Sequence, residues 1–275
     1  MSQKPAVIMT IAGSDSGGGA GIQADVKTMT VLGSFGISAI TALTAQNGEG
    51  VRGIHAPDPA FMRTQLEALL EGFPIAAAKT GMLFSAPLME VIADCLKDKQ
   101  FPLVVDPVAV SQSGHKLLMD DAIAALIEQI IPLADVITPN APEAEALTGK
   151  RLRVIKDISI IAEDLMRKGA RTVLLKGGHF TPEDMPQNGT MTDWLCLPGE
   201  EPKALSHKRI DTSNNHGTGC TLSAALATFL GQGKPLESAV VLAQKYLVAG
   251  LEASFTPGIG CGPPNFMAGA RSIVI

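Results

Sequence analysis

Short apolar runs alternate with helical patterns along almost the whole chain, and this alternation restricts the possible folds more than any other feature. The runs 6–12, 37–45, 76–83, 103–108, 136–138 and 172–175 read as strands. The segments 21–32, 59–70, 87–96, 120–131, 143–147, 159–168, 217–230 and 236–255 read as helices. The run 103–108 is continuously apolar up to Asp106-Pro107, as in a strand buried on both faces. A βαβα rhythm of this kind predicts a mainly parallel sheet with helices on both sides. Segments 191–197 and 203–210 predict an antiparallel pair turned at Gly199. Within 59–70, Phe61, Leu66, Leu69 and Leu70 are expected to face inward. Ser159 is expected to cap the helix 159–168. The loops 180–190 and 257–264 are expected to move. No low-complexity linker, charge block or internal repeat interrupts residues 1–275, so one domain is expected across them.

Composition removes several function classes. Apolar residues make up 46% and charged residues 18%, which excludes a disordered chain. The formal charge is −5, against a general binder of nucleic acid, which carries a basic face. No run of about 20 predominantly apolar residues is present, so no membrane span is expected. Lys4 and the apolar run after it have the look of a short leader, but they pass straight into Gly13-Ser14-Asp15-Ser16-Gly17-Gly18-Gly19. A first strand feeding a glycine loop is the better reading. The four cysteines, Cys95, Cys196, Cys220 and Cys261, have no metal-ligand spacing. Reduced thiols in a cytoplasmic protein are expected.

In open α/β sheets, ligands collect beyond the carboxyl ends of the strands. Polar or glycine residues fall there at 13–21, Gln46-Asn47, Asp106, 140–143 and 176–179. A sixth segment, 214–220, opens a helix. Its His216-Gly217-Thr218-Gly219-Cys220 is the sharpest element. Free amides and the positive dipole end make an anion site there, and a cysteine so placed is biased toward the thiolate. A glycine turn with a small cysteine packing the helix start reads the same residues without chemistry. The segment is not a Walker A loop, because no Lys follows Gly219. Nor does 13–21 meet the strict dinucleotide spacing.

Seven ordered motifs then carry a resemblance. They are T-I-A-G-S-D-S-G-G-G-A-G-I-Q-A-D at 10–25, T-A-L-T-A-Q-N at 41–47, K-T-G-M-L at 79–83, V-V-D-P-V at 104–108, T-P-N-A-P-E at 138–143, K-G-G-H at 176–179 and H-G-T-G-C-T at 216–221. The ending G-I-G-C-G-P-P-N-F at 258–266 adds to them. Collinear over almost the whole chain, they resemble the hydroxymethylpyrimidine/phosphomethylpyrimidine kinases of thiamine biosynthesis, in the ribokinase superfamily. The resemblance implies a three-layer α/β/α sandwich, Mg-ATP as donor, a small pyrimidine as acceptor, and a homodimer. It implies that Gly217, Thr218 and Gly219 form an anion hole and that Cys220 stands where sugar-kinase relatives have a catalytic Asp. Asn140 and Glu143 match an N-x-x-E motif that organises Mg²⁺ and phosphate, and Lys176 matches a phosphate-contacting lysine. Gly13, Asp25, Gln46, Met82 and Val108 match the pyrimidine pocket.

The chemistry of these residues agrees. Phosphoryl transfer needs charge neutralisation and in-line positioning. Lys176 and the 217–219 amides can hold phosphate oxygens, and Glu143 offers oxygen to Mg²⁺. Cys220 can take the proton of a substrate hydroxyl. Gln46 offers a donor and an acceptor to an aminopyrimidine edge, and Met82 a soft wall to a flat ring. Each also has a plainer reading: Gln46 as a turn residue, Glu143 as a first-turn carboxylate, Asp106 as a strand-end cap. Asn215, Ala109 and Gln112 depart from the family pattern, which weakens the expectation of a second phosphorylation. Two competing functions stay open, a pyridoxal kinase of the same fold and a binding protein without catalysis.

Overall fold

The computed structural model describes residues 4–108, 120–180, 182–183 and 189–273. The chain opens with strand β1 (Val7–Asp15), helix α1 (Gly21–Val31) and strand β2 (Phe35–Asn47). Strand β3 (Gly50–His55) folds back on β2, and helix α2 (Pro59–Gly72) follows. Next come β4 (Ile75–Thr80), α3 (Ala86–Leu96), β5 (Leu103–Val105), α4 (Asp120–Ala125) and β6 (Val136–Ile137). Helices α5 (Ala141–Thr148) and α6 (Ile155–Arg167) precede β7 (Val173–Leu175), β8 (Thr190–Cys196) and β9 (Lys203–Lys208). Helices α7 (Thr218–Gly231), α8 (Leu236–Glu252) and α9 (Phe266–Ser272) complete the described fold.

The strands form one sheet in the order β3-β2-β1-β4-β5-β6-β7-β8-β9. From β2 to β7 every pairing is parallel, while β3 at one edge and β8 and β9 at the other run antiparallel. Side chains alternate across the sheet with period two. Ile8, Ala77, Val104 and Leu174 join one core with Met29, Leu226 and Ala243 of α1, α7 and α8. Met9, Ala78, Val105 and Leu175 join the other with Leu66, Ile92, Leu126 and Ile161 from the α2–α6 side. Each fully buried Ile or Leu contributes about 1.5–3 kcal/mol, so both layers are bound to the sheet by many such contributions. No helix among the described residues is long and apolar enough to cross a membrane.

Several local expectations are corrected. In α2, Leu66 is buried and Leu69 and Leu70 pack against the core as expected, but Met62 is the other buried residue and Phe61 is 57% exposed. Phe61 lies one position from Met62, about 100° round the helix, so both cannot face the sheet. Helix α6 starts at Ile155, ahead of Ser159, because Asp157 accepts the amides of Arg153 (2.9 Å) and Val154 (3.0 Å) and so satisfies its orphan donors. The expected helix 120–131 is α only to Ala125; it widens into a π turn at Leu126–Ile130 and tightens into a 3₁₀ turn at Ile131–Leu133 around Pro132, which has no amide to donate. The segment 257–264 is bonded to its surroundings at Cys261 and Gly262. Cys261 N donates to Gly48 O (2.9 Å), Gly262 N to Asn214 Oδ1 (2.9 Å), and Cys261 Sγ to Ser213 O (2.7 Å).

Candidate active site

The polar residues beyond the strand ends converge where α7 begins. Gly217 has φ 79°, and a Cβ there would sit 1.9 Å from the carbonyl oxygen of Gly19, so only glycine allows this approach. The glycine loop after β1 is thereby pressed onto the start of α7. Asp15 organises that loop. Its carboxylate accepts the amides of Gly17 (2.8 Å), Gly19 (3.0 Å) and Ala20 (2.8 Å), and lies 2.9 Å from His216 Nε2. Burial alone would raise the Asp15 pKa, but His216 and the loop amides outweigh it and hold it below the usual carboxylate range. The same His216 nitrogen lies 3.4 Å from Gln46 Nε2, and Gln46 Oε1 accepts from Thr44 Oγ1 at 3.1 Å. Gln46 is thus beside the segment that leads into α7.

Helix α7 carries neither a side-chain cap nor an acidic residue in its first turn. The first amides of any helix have no intrahelical partner, and they carry the positive dipole end. Close to this end lies a second cluster. A Cβ on Gly219 would stand 3.4 Å from both Asp106 Oδ2 and Lys176 Nζ. Lys176 Nζ donates to Asp106 Oδ1 at 2.9 Å and is 3.7 Å from Glu143 Oε2. Burial works against the ammonium, but the Asp106 carboxylate, then Glu143, raise its pKa above the ordinary value. Glu143 also belongs to a capping box: Asn140 Oδ1 accepts the Glu143 amide at 2.9 Å and Glu143 Oε2 accepts the Asn140 amide at 2.8 Å. Its plainer reading as a first-turn carboxylate is therefore correct, and its place beside Lys176 is additional.

Beneath these clusters is a buried ion pair. Lys79 Nζ lies 3.0 and 3.2 Å from the two oxygens of Asp25, and Thr10 Oγ1 donates to Asp25 Oδ2 at 2.6 Å. Lys79 and Asp25 are both 0% exposed. Burial opposes the lysine's charge, yet Asp25 prevails, so the ammonium is held above its ordinary pKa. Asp25 is therefore held in place by Lys79 and Thr10, with its carboxylate out of contact with solvent.

Cys220 lies in the first turn of α7, where burial works against the thiolate that a helix start favours. Burial pushes its thiol up to about 11, and the carboxylates of Asp25 and Asp106 add to this. Lys79 and the Gly21 amide pull the other way and do not compensate. Met82 is half-buried, and its methyl stands 2.6 Å from where a Cβ on Gly13 would be. Val108 is half-buried beyond the end of β5, and Thr218 is half-buried at the start of α7. The departures at Ala109 and Gln112 lie outside the described residues. Asn215, the third departure, accepts from Cys261 Sγ at 3.1 Å through its Oδ1.

Sequence reasoning had quoted Lys79 within a motif without giving it a role, and it passed over Asp15. A lysine inside an otherwise apolar strand was the available signal for the first. An Asp one residue ahead of three glycines was the signal for the second, since a short acceptor side chain commonly gathers the amides of its own turn.

The family model described as phosphomethylpyrimidine kinase matches residues 15–265. The hydroxymethylpyrimidine/phosphomethylpyrimidine kinase of Haemophilus influenzae is 47% identical over 267 residues, covering 96% of this chain and 97% of that protein. Among solved structures, an ADP complex of Bacillus subtilis pyridoxal kinase superposes with a TM-score of 0.85 at 34% identity, over 96% of this chain and 98% of the other. A phosphomethylpyrimidine kinase from Clostridium difficile superposes with a TM-score of 0.77 at 39% identity, over 88% and 98% of the two chains. The architecture is the ribokinase-like three-layer α/β/α sandwich. With the family model matching residues 15–265 and a relative 47% identical over 96% of the chain, the chain belongs to the phosphomethylpyrimidine kinase family.

Proposed function

We propose that this chain is an ATP-dependent kinase of thiamine biosynthesis that phosphorylates 4-amino-5-hydroxymethyl-2-methylpyrimidine and then its monophosphate. The observation that carries the reading is the glycine-rich start of α7, with Cys220 in its first turn, beside the Lys176–Asp106 pair. A positive helix end and a fixed ammonium suit the charge that spreads over a transferring phosphoryl group. The amides of residues 217–219 and Lys176 hold the phosphate oxygens. Gln46 binds the aminopyrimidine edge, and Gly13, Met82 and Val108 wall the ring. Asp25 supports this pocket through Lys79. Residues 1–275 work as one kinase domain.

Cys220 receives the proton of the substrate hydroxymethyl group. The base is the thiolate, a minor form at neutral pH because burial holds the thiol at about 11: it accepts the proton once the oxygen–phosphorus bond is forming and the hydroxyl has turned acidic, and Cys220 is left as the neutral thiol. That timing suits a loose transition state. The Glu143 and Asp106 carboxylates put hard oxygen donors on the same side as Lys176. Among the described residues no group of three or more side chains could hold a metal by itself. This donor set fits Mg²⁺, which keeps several waters and shares its ligands with phosphates. When bound, Mg²⁺ supplies charge neutralisation to the phosphates.

The test is ADP release from Mg-ATP with hydroxymethylpyrimidine, its monophosphate or pyridoxal as the acceptor. Turnover with both pyrimidines is expected. Turnover with pyridoxal alone would keep the phosphate site and refute the substrate. No ADP with any acceptor would make the chain a binding protein. Gln46→Ala is expected to raise the pyrimidine KM at least tenfold with the ATP KM within twofold, and an unchanged pyrimidine KM would place the pocket elsewhere.

A homodimer is part of the same proposal. Strand β3 is an outer edge of the sheet, with Val51 and Ile54 43% and 46% exposed. Open edges of this kind favour pairing with another chain. Light scattering at micromolar concentration is expected to give twice the 28.6 kDa chain mass, and a monomer mass would refute it.

A further inference from the structure

One buried carboxylate takes no part in the chemistry above. Asp193, on β8, is 3% exposed. Its Oδ1 accepts the amide of Gly177 at 2.8 Å, and its Oδ2 accepts Gln244 Nε2 of α8 at 2.8 Å. His207 Nε2, from β9, is 3.5 Å from Oδ2. Gln244 Nε2 is also 3.2 Å from the Leu205 carbonyl. A buried carboxylate with this many donors is costly to leave unpaired, so its place is fixed.

What it fixes is the residue before Gly177. Lys176 follows the three-residue strand β7 and precedes a 3₁₀ turn at Gly177–His179, whose first amides have no partner inside the turn. The Lys176 amide donates to Pro139 O at 2.8 Å. The next amide, of Gly177, donates to Asp193. The peptide units on either side of the Lys176 α-carbon are thus held, one by the carbonyl of Pro139 beyond the end of β6 and the other by a side chain in the middle of β8. Gly177 itself is pressed so close to β8 that a Cβ would stand 2.0 Å from the Thr192 carbonyl oxygen. From this bracketed backbone the ammonium reaches Asp106 at 2.9 Å beside the start of α7.

We infer that Asp193 is a positioning residue for phosphoryl transfer: by holding the Gly177 amide it sets the direction in which Lys176 presents its ammonium to the phosphates. The inference rests on the reading of Lys176 as the phosphate-contacting lysine. Loss of the acceptor frees the turn to swing and moves the ammonium, while the pyrimidine pocket beyond β1, β2 and β4 stays as it was.

A double-mutant cycle tests this. Lys176→Met is expected to raise the ATP KM or lower kcat, for a loss in kcat/KM of at least thirtyfold. Asp193→Ala is expected to lower kcat/KM for ATP at least tenfold with the pyrimidine KM within twofold. Asp193→Asn keeps an oxygen for Gly177 and is expected to remain within threefold of the parent. In the Lys176→Met background, Asp193→Ala is expected to cost less than twofold more, because coupled residues are not additive. Should the alanine variant fail to fold, Asp193→Ser enters the same cycle, since its hydroxyl is too short to reach the Gly177 amide.

A structural role alone would lower the melting temperature and the active fraction and leave both KM values unmoved. That result, or full additivity with Lys176→Met, would overturn the inference while the reading of Lys176 stands. No effect of Lys176→Met on ATP kinetics would overturn both.

Discussion

Cys220→Ala is expected to lower kcat at least tenfold, and by as much as 10²–10⁴-fold if the thiol supplies the full effect of a positioned general base. The KM values for ATP and pyrimidine should change little, because the amides of the α7 start remain. Stability should also hold, since alanine is a strong helix former and Cys220 sits in a first turn that binds no side-chain cap. The pH profile separates the base from a packing residue. With the thiol pushed up to about 11, the thiolate fraction rises tenfold for each pH unit throughout the neutral range. The parent kcat should therefore climb between pH 6 and 9 wherever chemistry limits turnover, and the alanine variant should lose that climb. Equal turnover of parent and variant at pH 8 would remove Cys220 from the proton transfer.

The second large effect concerns stability. Lys79→Met leaves the Asp25 carboxylate fully buried with Thr10 as its one remaining side-chain partner. Breaking one side of a buried pair typically costs about 3–5 kcal/mol, much more than losing an exposed ion pair. For a chain of this size that corresponds to a fall in melting temperature of about 10 °C. The double variant Asp25→Asn/Lys79→Met removes both charges, and it should recover most of the loss. Denaturant unfolding of the parent, the single and the double variants would measure this. A single variant as stable as its parent would mean that the two groups are not charged together in the folded state.

The parts of the fold legible in the sequence are those where burial enforces a pattern. Strands β1, β4, β5 and β7 are covered by helices on both faces, and they read as apolar runs because water reaches neither side. Strand β3 escaped notice for the opposite reason. Gly50-Val51-Arg52-Gly53-Ile54-His55 lies at an exposed edge, where nothing forces alternation. Helix α9 was hidden by its shortness and by Gly269, which a contact with Tyr246 requires rather than helix propensity. For the site, backbone-binding glycines and strand-end polar residues were readable because their spacing to the elements is local. Asp193 and the Asp25–Lys79 pair were not. Their partners are 16 and 54 positions away, and only the folded sheet brings them together.

The contact between the glycine loop and the start of α7 also bears on how the protein is made. His216 and Asp15 are separated by 201 positions. At about 5–20 residues per second, a ribosome needs about 10–40 s to travel between them. Through that interval the nascent chain already carries β1, whose Ile8 is covered in the finished protein by the helix layer that includes α7. An interior strand of the sheet is thus laid down early, and the part of its helix cover that α7 supplies arrives late. A holding chaperone should consequently matter more to the yield of this chain than to proteins whose early strands are covered by their nearest neighbours, and slowing elongation between codons 32 and 216 should deepen that dependence.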